Sequence, residues 1–465
     1  MEKQKYGTAL ILLCVALFLI TFCSQSSPLY PLNTWDDANC LLTVGRAMHS
    51  GATLYKDIYE QKGPTLYALH ALAAAVSDTS FFGVYLLEIL ACWLTLCAAY
   101  RIARSGHTPA LVIVAFFGAL TYASGAFCRG DSAEEFCLPC LTGLLAIADH
   151  AEKEGFSPKQ MMIMGFLSGI IGTIKFTILG VPLGLCIFIA IRILPQSPVR
   201  LLKAAACFLL GMLIPIAAWL LYFAAKGALS DYLTAYLYNN IFLYAGDYSG
   251  LDIPWLIRTN WPWFLMLLPA LYTLIHERKW GVLLPLMVQT AVLVAGGRMW
   301  LYTPLVLTPF ILYGMKKIWP VVDKRIRPGV LRILPGLAAL VLAALLTPNA
   351  YMRFVPLEQT AQGRLAACIP ENSTFLQYSH LDDGMYLMTH SLPQEKYFCS
   401  LNVGLPEMHE ELDRYLTEGI PEYVLITWRM LPEAFSRYRQ IDYATGYDNY
   451  NHLKKDFFLY ERIDP

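Results

Sequence analysis

Residues 1–40 read MEKQKYGTALILLCVALFLITFCSQSSPLYPLNTWDDANC. An apolar run over 7–23 carries no charge, follows Lys3 and Lys5, and gives way to a polar segment with Trp35-Asp36-Asp37. A membrane span needs about 20 mostly apolar residues, so this run predicts a first span with two adjacent carboxylates soon after it. MEKQK and the small residues Ser24-Gln25-Ser26-Ser27 also fit a cleaved signal peptide. A retained span is the better reading, because cleavage leaves the Lys62 segment without an anchor.

The pattern repeats along the chain. Runs at 81–100, 109–127, 135–148, 161–175, 177–191, 204–225, 260–275, 281–296, 299–315 and 331–347 bring the expected spans to eleven. The run at 135–148 is short, so its flanks must snorkel or the bilayer must thin. A twelfth apolar stretch at 65–76 ends at Ser77-Asp78 and predicts an interfacial or re-entrant helix. The 465 residues are 56% hydrophobic and 15% charged, with a mean hydropathy of +0.46. Soluble domains run at about 45–50% and about 25%. Disordered, collagen-like and disulfide-scaffold chains are excluded, and an ordinary cytosolic enzyme is disfavoured. A net charge of +0 gives no polybasic case for nucleic acid.

Lysine and arginine set the orientation. With the N-terminus cytoplasmic, inner loops hold 17 of the 35 basic residues, outer loops and outer span ends hold 8, and the tail holds 10. Eleven spans then leave the C-terminus outside. Counting 65–76 as a span inverts the bias. The expected organisation is a transmembrane domain over 1–348, with large outer loops at 24–80 and 226–259, and an extracytoplasmic domain over 349–465. The tail carries 17 acidic and 10 basic residues. Short β-like runs at 374–379, 396–399, 423–428 and 456–461, with a helical pattern at 406–417, predict a small α/β domain. Tyr232, Tyr236, Tyr238, Tyr244 and Tyr248 crowd the second loop, as an interface belt or a platform for a sugar ring. Cys137 and Cys140 have CxxC spacing without a second pair. Cys368 and Cys399 share the outer domain, where an oxidising compartment permits pairing.

The outer side collects the chemistry. Asp36 and Asp37 are followed by Gly51-Ala-Thr-Leu-Tyr55-Lys56-Asp57-Ile58-Tyr59-Glu60-Gln61-Lys62-Gly63-Pro64, and a second loop reads Cys128-Arg129-Gly130-Asp131-Ser132-Ala133-Glu134-Glu135. Lys175 and Arg298 lie at outer span ends. Carboxylates beside a bilayer are costly unless used or neutralised. A face with both signs of charge suits transfer from a lipid phosphate. A carboxylate takes the proton of an attacking hydroxyl, and cations hold the departing phosphate. The competing reading is that these acids and bases pair as loop structure, which is the preferred account of Asp57 or Glu60 alone.

The layout resembles the GT-C superfold of glycosyltransferases, whose members include polyprenyl-phosphate-sugar-dependent protein mannosyltransferases and lipid A aminoarabinose transferases. The resemblance rests on the acidic pair after Trp35, on Gly51 to Asp57, on Lys62-Gly63-Pro64, and on Glu134-Glu135-Phe136 with Leu138-Pro139. Asp37 stands where the family often has Glu. Arg298 and Tyr302-Thr303-Pro304 match a late basic-aromatic element, but Leu301 replaces its usual His. The resemblance implies Asp36 as catalytic base, Lys62 on the donor phosphate, and Glu134 or Glu135 ordering the acceptor or a divalent ion.

The candidate site is therefore Asp36, Asp37, Glu134 and Glu135 as catalytic acids. Lys62, Arg129, Lys175 and Arg298 are its phosphate-binding cations, and Trp35, Tyr55, Tyr59 and Tyr302 its substrate contacts. The implied donor is a polyprenyl-phosphate-linked sugar, hexose or pentose, transferred with inversion to an envelope polysaccharide, lipid or protein. No nucleotide site is needed, and the paired acids leave a divalent cation, Mg²⁺ or Mn²⁺, open as a cofactor. A transporter or lipid flippase is the main rival, with Glu88 as its intramembrane acid and no inverted repeat in its favour. A scaffold with an acidic outer domain is the third reading.

Overall fold

The computed structural model describes residues 2–104, 107–244, 253–296, 300–324, 332–448 and 453–463. Seventeen α-helices and four strands are named by range. The first nine helices are α1 (Glu2–Cys23), α2 (Asp36–His49), α3 (Pro64–Val76), α4 (Phe82–Ala103), α5 (His107–Tyr122), α6 (Ala133–Glu154), α7 (Pro158–Ile174), α8 (Gly180–Ile193) and α9 (Pro198–Ala225). The rest are α10 (Leu229–Tyr232), α11 (Ile253–His276), α12 (Trp280–Ala295), α13 (Ile311–Asp323), α14 (Leu334–Leu346), α15 (Ala361–Ala366), α16 (Met385–Met388) and α17 (Pro406–Glu418). The strands are β1 (Phe375–Tyr378), β2 (Tyr423–Thr427), β3 (Tyr438–Asp448) and β4 (Leu453–Arg462).

The chain is an α-helical, multi-pass membrane protein with a small sheet near its C-terminus. Each of the eleven apolar runs holds a helix. Among the described residues, Tyr6–Cys23, Phe82–Ala103, Phe176–Ile193, Pro198–Ala225 and Thr303–Asp323 are long and apolar enough to cross a membrane. The run at 135–148 has charged flanks, with Glu134 and Glu135 at one end and Asp149 and Glu152 at the other. Its helix continues to Glu154 and reaches 22 residues, roughly 33 Å at 1.5 Å per residue. The stretch at 65–76 forms α3, which at 13 residues is about 20 Å long and too short to cross a core of about 30 Å.

By contact density the chain divides into two units. The first comprises 1–24, 87–221 and 246–350. Its helices pack with little side chain between them. A Cβ on Gly165 of α7 would lie 1.9 Å from the Phe208 carbonyl oxygen of α9, and one on Gly211 would lie 2.0 Å from that of Met162. Small residues at such crossings let helices associate through close packing where lipid offers no hydrophobic drive. Helix α1 belongs to this packing, with Leu12, Ala16, Leu19 and Ile20 buried.

The second unit comprises 25–86, 222–245 and 351–465. The polar segment after the first span is largely helical. Asp36 and Asp37 occupy the first turn of α2 and Arg46 and His49 its last, both favourable for the helix dipole. Helix α2 pairs with α3 so closely that a Cβ on Gly45 would sit 2.5 Å from His70. The sheet has the order β1-β2-β4-β3. β1 and β2 are parallel, and β4 runs antiparallel to both β2 and β3. The expected strand at 396–399 is not one. Tyr397, Phe398 and Cys399 are buried but extend no ladder, and the Lys396 and Phe398 carbonyls accept from the Tyr59 N–H and the Tyr386 hydroxyl. β3 takes its place, bulged between Gln440 and Asp442.

Candidate active site

Trp35 precedes α2 and is buried, with its N–H on the Asn33 side chain and its carbonyl accepting from Asn39. The two acids after it face different partners. Asp36 Oδ1 accepts the Asp37 N–H at 3.0 Å, while Asp36 Oδ2 lies 3.1 Å from His380 Nε2. Asp37 Oδ1 lies 3.0 Å from Lys62 Nζ, and Glu60 Oε1 is 3.4 Å from the same ammonium. Burial alone would lower the Lys62 ammonium, but Asp37 and Glu60 outweigh it and hold it well above its ordinary value. Lys62 is thus a charged group at the working pH, shared by two carboxylates. Its own N–H donates to Glu60 Oε2 at 3.1 Å and to the Tyr67 hydroxyl at 3.2 Å. Glu60 therefore joins Asp37 on the Lys62 ammonium, whereas Asp57 closes a local turn by accepting the Thr53 N–H at 2.7 Å.

Tyr55 and Tyr59 shape this loop from within. Tyr55 is fully buried at φ +69°, and its hydroxyl donates to the Lys62 carbonyl at 2.6 Å. Its ring stands 5.4 Å from Phe223 and 5.7 Å from Tyr232. Tyr232 and Tyr236 continue the stack and are buried, so the tyrosines of the second loop are partly core. Tyr238 is exposed, and Tyr248 lies outside the described residues. The Tyr59 hydroxyl accepts from Asn239 at 2.8 Å. Burial, ahead of any other cause, pushes Tyr59 up to about 12.

Several residues of the C-terminal segment meet α2. Thr43 donates to Asp382 Oδ2 at 2.7 Å, Arg46 Nη1 donates to the Tyr386 and Ser391 carbonyls at 2.9 and 3.0 Å, and Cys40 Sγ is 3.8 Å from Cys399 Sγ. Cys399 therefore faces Cys40, while Cys368 is exposed beside Asp442. Burial raises the Asp382 carboxyl to about 6, against hydrogen bonds from Thr43 and the Gly384 N–H. None of these partners is near α2 in sequence, and His380 carried no motif. Only the folded tail reveals them.

The first unit holds the remaining candidates. Glu134 Oε1 pairs with Lys175 Nζ at 2.6 Å, and that ammonium sits 5.3 Å from the centre of the Tyr302 ring, within reach of a cation–π contact. Glu134, Lys175 and Tyr302 thus come together. Glu135 turns elsewhere. The Asp131 N–H is shared between Glu135 Oε2 and Glu88 Oε1, each at 2.9 Å, and Ser24 donates to Glu88 at 2.8 Å. A Cβ on Gly130, at φ +86°, would lie 2.3 Å from Ser24 Oγ and 2.4 Å from Glu88 Oε1, so only glycine fits there. Arg129 is buried in the same turn. Arg298 lies outside the described residues. Among the described residues, no group of three or more His, Cys, Asp or Glu is placed to hold a metal ion.

No protein-family model matches the chain, and no curated protein matches its sequence. Solved structures do match. ArnT from Cupriavidus metallidurans bound to undecaprenyl phosphate superposes with a TM-score of 0.60 at 11% identity, over 97% of this chain and 98% of that one. The apo state of the same protein gives 0.61 at 11% identity, over 98% of each chain. The likeness runs over nearly the whole length of both chains, and the chain has the GT-C fold of the ArnT structures.

Proposed function

We propose that the chain is a membrane glycosyltransferase that takes a sugar from a polyprenyl-phosphate carrier and transfers it to a cell-envelope acceptor, inverting the anomeric carbon. The observation that carries the proposal is the Asp36, Asp37, Glu60 and Lys62 arrangement at the start of α2, in a fold shared with a protein crystallised with undecaprenyl phosphate. Asp36, about a quarter exposed, accepts the proton of the acceptor hydroxyl. The hydroxyl oxygen forms the new bond to the anomeric carbon as the bond to the phosphate oxygen breaks. Polyprenyl phosphate leaves with the bonding pair, and its growing charge is met by the Lys62 ammonium. Before the donor binds, Asp37 and Glu60 keep that ammonium charged and in place. Tyr55 and Tyr59 act by holding the loop that carries Lys62, Tyr55 fixing the Lys62 backbone directly, and Trp35 is assigned to substrate contact. Glu134 is assigned to ordering the acceptor, its neighbour Lys175 to the donor phosphate and Tyr302 to substrate contact. Glu135 shapes the turn that precedes Glu134, and Arg129, buried in that turn, is assigned to the donor phosphate. The N-terminus is assigned to the cytoplasm and the C-terminal segment to the outer side, from the basic-residue bias.

The test uses the full chain in lipid nanodiscs with radiolabelled undecaprenyl phosphate mannose, glucose, galactose and 4-amino-4-deoxyarabinose, alongside binding of undecaprenyl phosphate itself. Sugar release from one donor, with competition by free undecaprenyl phosphate, is expected. The absence of both sugar release and saturable carrier binding would refute the proposal and favour a transporter.

A further inference from the structure

The C-terminal segment meets the Asp36 carboxylate directly. His380 Nε2 lies 3.1 Å from Asp36 Oδ2, with the two side chains 24% and 25% exposed. With Asp36 ionised, the ring nitrogen facing it carries the hydrogen and donates. The other carboxylate oxygen is held by the Asp37 N–H, so the group is fixed at both ends. The imidazole is itself held by packing. Trp428 presents its ring to His380 at 6.5 Å between centroids and 75° between planes, an edge-to-face arrangement. Trp428 stays nearly half exposed and sits at φ +74°, a backbone conformation unfavourable for a bulky residue. Its ring is approached from another side by Lys455, which pairs with Asp383. Asp382, Asp383 and His380 lie within four residues, and Asp382 is tied to Thr43 one side of α2 further along.

A partly exposed hydrogen-bonded pair of this kind adds little to stability. Fold stability therefore gives a weak reason for bringing His380 to this carboxylate from the far end of the chain. Catalysis gives a stronger one, because a general base must be held in the geometry of attack. We infer that His380 is a positioning residue for Asp36, so that the C-terminal segment completes the catalytic site on α2, with Trp428 orienting the imidazole. The inference rests on the reading of Asp36 as base.

The experiment compares wild type, His380→Ala, His380→Gln and Asp36→Asn as full chains in nanodiscs, with whichever undecaprenyl phosphate sugar the wild type turns over. His380→Ala should lose about 10- to 100-fold in kcat, with the donor KM within about two-fold. His380→Gln, which keeps an N–H donor, should recover part of the loss. An unchanged kcat in His380→Ala, while Asp36→Asn is inactive, would overturn the role of His380 alone. Full activity in Asp36→Asn would overturn the base reading itself. A loss that the glutamine variant does not recover, with donor KM and thermal midpoint changed as well, would reduce His380 to a structural part and overturn the inference. A second measurement needs no donor. In histidine-selective ¹⁵N spectra, the Nε2 resonance identified by its absence from His380→Gln should move in Asp36→Asn, and an unmoved resonance would overturn the contact.

Discussion

Asp382 offers a test of how the C-terminal segment grips α2. Its carboxyl is fully buried, accepts from Thr43 at 2.7 Å and from the Gly384 N–H at 2.8 Å, and is raised to about 6 by burial from an ordinary value of 3.8. A raised acid binds its proton more tightly in the folded state than in the unfolded chain. Its contribution is therefore complete below pH 3.8 and is lost as the pH rises through 6. At 1.36 kcal/mol per pH unit the loss is about 3 kcal/mol. Asp382→Asn removes the titration. The amide oxygen still accepts from Gly384 while the amide nitrogen donates to the Thr43 hydroxyl. For a unit of roughly 200 residues, 3 kcal/mol corresponds to about 6–12 °C in the thermal midpoint. Thermal unfolding in nanodiscs is followed by tryptophan fluorescence from pH 4 to pH 8. The variant should match wild type near pH 4 and exceed it by that margin at pH 8. A gap independent of pH, or a wild type more stable at pH 8, would refute the reasoning and make the Asp382 carboxylate a net partner of Arg46.

Two further outcomes follow from the ion pairs. Lys62→Met leaves Asp37 and Glu60, both nearly buried, without their cation, and should cost about 3–5 kcal/mol while raising the donor KM at least about ten-fold. Adding Asp37→Asn should restore part of the stability and none of the donor affinity, and an unchanged KM in Lys62→Met would remove the phosphate role. Lys175→Met strands Glu134, which is 3% exposed, and should lower stability by about 1–3 kcal/mol. The double variant with Glu134→Gln should recover most of that, and equal midpoints for the single and double variants would show that the pair is not coupled.

What the sequence revealed and what it hid divide along physical lines. Membrane spans are written locally, as unbroken apolar composition, so all eleven runs found a helix. Strands β1, β2 and β4 were legible because their buried residues are aliphatic and aromatic. β3 was missed because Arg439, Gln440, Asp442 and Thr445 give a polar surface strand little apolar alternation, while 396–399 imitated a strand by being buried. Helix α2 was signalled by its acidic first turn and by Gly51 just after its end, signals masked by reading 24–80 as a loop.

The candidate site was legible as residue types and not as pairs. Asp36, Asp37 and Lys62 lie close in sequence, but the ammonium chose Asp37 and Glu60. Asp36 took His380 instead, and that choice depends on a tail more than three hundred residues away. The same distance hid Cys399 beside Cys40. Glu88, the intramembrane acid of the transporter reading, proved to be hydrogen-bonded by Ser24 and the Asp131 N–H in a close-packed turn.

The Asp36 carboxylate is the group proposed to receive the acceptor proton. The direct measurement is single-turnover transfer from a radiolabelled undecaprenyl phosphate sugar by wild type and by Asp36→Asn, which removes the charge and keeps the shape. A loss of about 10²–10⁴-fold in rate, with carrier binding and thermal midpoint retained, is the result predicted. Transfer by Asp36→Asn at the wild-type rate would contradict it.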